Sequence, residues 1–60
     1  MKAALTFKYE DETPEGEAIG PAVTWDEDDP NQPVLEDLGW MSISQAKALA
    51  QERGYAFYED

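Results

Sequence analysis

SISQAKALAQERG, Ser42 to Gly54, is the stretch from which the fold can be built. Ser42 is followed three residues later by Gln45, the spacing of a capping box. In that motif the hydroxyl and the amide each satisfy a backbone N–H that the first helical turn leaves open. Ile43, Ala46, Leu49 and Ala50 then recur on one stripe, and Gly54 supplies the left-handed stop. A helix over about 43–53 is predicted. Its buried stripe is mostly alanine, so it can approach a sheet closely, and the rest of the chain has to provide that sheet.

Working outward, residues 3–9 alternate: Ala3, Leu5, Phe7 and Tyr9 share one face, and Lys2, Ala4, Thr6 and Lys8 the other, which is expected to be wet. This is the period of a half-buried strand. Residues 10–18, EDETPEGEA, carry Pro14, Gly16 and no apolar period, and read as a loop. A second strand is expected at about 19–25, where Ile19, Val23 and Trp25 share a parity. Its Pro21 lacks a ladder donor and marks an edge position. In PVLEDLG, Pro33 suits a first helical position and Gly39 a C-terminal cap, so a short helical turn is expected at 33–38. The tail after Gly54, YAFYED, alternates again, with Tyr55 and Phe57 on one side and Ala56 and Tyr58 on the other, and reads as a third strand.

The expected architecture is one α+β domain over residues 1–60 in ββαβ order. A right-handed crossover through the helix, with the apolar first strand in the middle, gives a three-stranded antiparallel sheet of order 2-1-3 with the helix on one face. Tyr9, Trp25, Trp40, Tyr55, Phe57 and Tyr58 are expected to pack in the core and along its edges.

Composition limits the functions. A chain of sixty residues buries only roughly 60% of its unfolded surface, so its core is small. It has no cysteine, hence neither disulfides nor a thiolate zinc site to brace it. The opening MKAALTFKYEDE lacks the apolar run of a signal peptide, and no stretch of about 18 apolar residues occurs, so a cytoplasmic location is expected and a membrane-bound one is not. Fourteen Asp and Glu against four Lys and Arg give a net charge of −10. That exceeds the magnitude of about 2 to 8 that keeps a small domain soluble. No basic residue stands between Lys8 and Lys47, whereas Glu10, Asp11, Glu12, Glu15, Glu17, Asp26, Glu27, Asp28, Asp29, Glu36 and Asp37 all do. Such a field repels nucleic acid and anionic membranes and attracts cationic grooves.

DEDD, at 26–29, invites a calcium reading. Counted as an EF-hand loop from Asp26, however, its fifth position is Pro30 and its sixth Asn31, where a ligand and a turn glycine are needed. No metal or other cofactor is expected. Without histidine, cysteine, a phosphate-binding glycine loop or a nucleophile beside a base, the chain does not read as an enzyme.

The acid-only region from Tyr9 to Ala46, set in a compact α/β pattern, resembles the small acidic phage-encoded inhibitors of the anti-CRISPR and anti-restriction type. Some of these mimic DNA. The resemblance is one of class and carries no shared motif. It implies a non-enzymatic inhibitor whose eleven acids meet a basic nucleic-acid-binding protein or complex in the host bacterial cell. The alternative is a small adaptor or regulatory module that uses an apolar face or an edge strand. Both a monomer and a homodimer remain open at this level.

Overall fold

Ala18–Asp26 is the strand on which the rest is assembled. In the computed structural model, which describes residues 2–60, the elements are β1 (Ala3–Phe7), β2 (Asp11–Glu12), β3 (Ala18–Asp26), β4 (Val34–Ser42), α1 (Ile43–Arg53) and β5 (Ala56–Glu59). β3 pairs antiparallel with β1 and β2 and, separately, with β4; β5 pairs parallel with β1. The sheet therefore runs β5-β1-β3-β4, with β2 continuing the line of β1. The protein is α+β, with one helix and a mixed five-stranded sheet.

Two expectations are corrected together. Residues 33–38 form no helical turn; they open β4, a strand of nine residues. The local signals have other uses here. Pro33 closes the loop before the strand, its carbonyl accepting from Asp26 N–H at 3.2 Å. Gly39, at φ 72°, sits where the β3–β4 register shifts, as glycine does in a β-bulge. Pairing along β3 supplies more hydrogen bonds than an isolated turn could. Because β4 reverses the chain once more before α1, the crossover delivers β5 parallel to β1. The expected three-stranded antiparallel sheet thus becomes a mixed one, although β1 does lie between β3 and β5.

The expected loop at 10–18 also contains structure, since β2 pairs with the start of β3. Phe7 lies opposite Ala22 and Asp11 opposite Ile19, so the first line has one more residue than β3 does over this interval. That bulge presses on Gly20. A Cβ there would stand 1.7 Å from the Lys8 carbonyl oxygen and 2.9 Å from its carbon, both of them main chain.

Cross-strand partners share a face, so Leu5 with Thr24 and Phe7 with Ala22 place these four on one side of the sheet. All four are buried, and Leu5, Phe7 and Ala22 cluster with Ala46 and Ala50 of α1. Burying a Leu or Phe side chain contributes roughly 1.5–3 kcal/mol, and the alanines let the helix come close enough to cover them. The capping box is formed in full by Ser42 and Gln45, and Gly54 ends the helix at φ 72°.

On the other side, Trp25 Nε1 donates to Thr6 Oγ1 at 2.8 Å, and the Trp25 ring stands 5.9 Å from that of Tyr58. Ala4 is fully buried there, beside Trp25 and Ala56, while Lys2 and Lys8 of the same alternation are exposed, as expected of a wet face. Among the described residues no second layer covers this side. Tyr9, Trp40 and Tyr58 are exposed rather than packed away.

Candidate functional site

The eleven acids do not form one surface. Nine residues of β3, about 26 Å at roughly 3.3 Å per residue, separate two groups. Glu10, Asp11, Glu12, Glu15 and Glu17 gather around the turn between β2 and β3. Asp26 ends β3, and Glu27, Asp28 and Asp29 start the connection to β4, at the far end. Glu36 and Asp37 lie between them, on the edge strand β4.

Most of these carboxylates also hold local structure. Asp26 Oδ1 accepts from Asp28 N–H at 2.9 Å, Asp29 Oδ1 from Asn31 N–H at 2.9 Å, and Asp37 Oδ1 from Gly39 N–H at 3.0 Å. These are the short-range bonds by which aspartate builds turns. Asp11 Oδ1 likewise accepts from Glu12 N–H at 2.8 Å. Among the described residues, Glu27 pairs with Lys2 at 3.3 Å, Glu10 with Lys8 at 3.2 Å, and Glu36 with Arg53 at 2.9 Å. Glu12 accepts the Tyr9 hydroxyl at 2.9 Å. Glu15 lies exposed in the turn. The negative charge is thus fixed in place rather than carried on loose side chains.

Two carboxyls are shifted. The Ser44 and Ser42 hydroxyls hold Glu17 below its usual value, at the N-terminal end of α1. The Tyr58 hydroxyl, with help from Lys2, does the same for Glu27. Tyr58 is raised in return, its proton held by the Glu27 carboxylate, and Tyr9 is raised by Glu12. The Arg53 guanidinium is raised by its bond to Glu36. Each shift makes a charge, or a neutral donor beside a charge, more persistent at neutral pH, and none poises a group for proton transfer there.

A groove of about 490 Å³, not among the features expected from the sequence, lies between β4 and α1. It is lined by Trp40 and Met41 of the strand and by Gln45, Ala48, Leu49 and Glu52 of the helix. The helical set is spaced at three and four residues, a signal visible in the sequence once the 34–42 segment is read as a strand. Trp40 is 60% and Val34 62% exposed on that strand, so its apolar surface is open to solvent.

Among the described residues no three of His, Cys, Asp or Glu converge to hold a metal ion, and no helix is long and apolar enough to cross a membrane. No family model, no curated protein and no solved structure matches this chain.

Proposed function

We propose that the protein is a non-enzymatic acidic inhibitor, of the anti-CRISPR or anti-restriction type, that occupies a cationic nucleic-acid-binding surface in place of nucleic acid. The supporting observation is the spacing of its charge. A net charge of −10 on a body 38 Å long is one charge for roughly every 4 Å, near the ~3.4 Å per phosphate along one nucleic-acid strand. The two acidic ends and the acids of β4 spread that charge along the long axis. Binding would release counterions and weaken steeply with salt.

The test begins with capture from a bacterial lysate at low salt and a salt step to elute. The expected eluate is a nucleic-acid-binding protein or complex that loses its DNA when the acidic protein is added. Tight binding that ignores salt, or that leaves DNA bound, would sink the proposal. Asp26→Asn, Asp29→Asn and Asp37→Asn keep the oxygen that accepts each turn bond while removing three charges. At up to about 1 kcal/mol per exposed charge, together they should weaken low-salt binding about 3- to 100-fold.

A second reading, a small adaptor, is favoured by the uncovered sheet face around Trp25 and Tyr58. A partner seated there would change Trp25 fluorescence and depend little on salt.

A further inference from the structure

We infer that the outer edge of β4, together with the groove between it and α1, is a docking site for an extended, basic segment of a partner protein. The segment would add to the sheet as a further strand. The inference rests on the cationic-partner reading above and says where on this chain such a partner is held.

Three observations combine. First, β4 pairs with β3 on one side only, so its other edge presents main-chain donors and acceptors without a strand partner. Second, the groove touches both Trp40 and Met41. Successive strand residues point to opposite faces, so a groove reached by both lies at the strand's open edge rather than over one face. Met41 packs toward the core beneath α1, and Trp40 is exposed. An added strand would therefore run along β4 with alternate side chains against Met41, Ala48 and Leu49. Third, the site is acidic: Glu52 lines it and Asp37 lies along the strand, beside Glu36, whose charge is paired with Arg53, in a chain of net charge −10. Charge complementarity selects a lysine- or arginine-bearing segment with apolar residues at alternate positions. It disfavours a second copy of this chain, which would bring another −10 to the same edge. Affinity would come from main-chain hydrogen bonds and specificity from the groove.

The decisive probe is a short peptide of alternating lysine and valine, added to the full chain and followed by amide NMR and hydrogen exchange. The expected result is slowed exchange and shifted resonances along Val34–Ser42, with the Trp40 indole among them. The same peptide N-methylated at alternate amides keeps its charge but loses the main-chain donors, and should bind at least about tenfold weaker. Ala48→Arg, at an exposed helix position in the groove, should weaken the unmodified peptide comparably while leaving the fold intact. Equal binding of the methylated peptide, or shifts confined to Trp25 and Tyr58, overturns the docking site but leaves salt-dependent binding to cations standing. Failure of every lysine peptide to bind at low salt overturns both. Concentration-dependent dimerisation that protects β4 without peptide assigns the edge to a second copy and overturns the basic occupant.

Discussion

Glu27 shows what a single acid of this chain does. Its carboxylate accepts a hydrogen bond from the Tyr58 hydroxyl and pairs with Lys2, tying the loop after β3 to both β5 and the N-terminal segment. Its folded-state pKa is depressed, so its stabilising contribution is present above the ordinary carboxylate value and is lost as pH falls through the lowered one. Tyr58 is raised, so its contribution is present below about pH 10 and is lost as pH rises through the raised value. Tyr58→Phe removes the first of these bonds. The Glu27 carboxyl resonance should then titrate at higher pH than in the parent chain; an unchanged midpoint would show that the hydroxyl does not hold the charge. Asp26, Asp29 and Asp37 act differently, each folding the main chain back on itself through one side-chain oxygen.

At the scale of the element, the joint between β1 and β2 has the least tolerance. Gly20→Ala would drive a methyl group into the main chain at Lys8, with no side chain to rotate away. The expected outcome is loss of cooperative thermal unfolding, or a loss of several kcal/mol of the roughly 3–5 that so small a core supplies, read by urea titration. Retention of parent stability would mean that the two strands do not meet there. The sequence did not announce this contact, because Gly20 sits inside an otherwise regular alternation. α1, by contrast, was legible in full: Ser42, Gln45 and Gly54 specify its ends locally and Ala46 and Ala50 its buried stripe. β4 was not, since Pro33 and Gly39 carry the same local meaning at a helix end as at a loop and a bulge. Only pairing with β3 separates the two. The acids were legible as charge, and D-x-D and D-x-N spacings at 26–31 signal side-chain turns, but their division between two ends depends on the length of β3.

For the whole molecule, charge and shape act against each other. A Cα radius of gyration of 11.5 Å confines a net charge of −10, and self-repulsion at that density opposes the compact state. Among the described residues three cation–carboxylate contacts occur, with Lys2, Lys8 and Glu36 largely exposed and Glu27 the most sheltered. Pairs so open to water contribute little, and the repulsion among the remaining acids is the larger effect that salt would screen. Raising sodium chloride from low to about physiological strength should therefore raise the melting temperature while weakening any cationic partner's binding. A melting temperature that falls with salt would show the ion pairs outweighing the repulsion.

The parallel seam between β1 and β5 joins position 4 to position 56, a separation of 52 residues in sequence. The β3–β4 hairpin, closed by the short connection from 27 to 33, needs no such reach. Loop-closure entropy orders these events, so the hairpin forms early and the seam last. On a ribosome β1 must wait, with one edge bare, until residues 56–59 emerge. In the finished protein the same seam is the first to reopen, and faster amide exchange in β5 than in β3 is its signature.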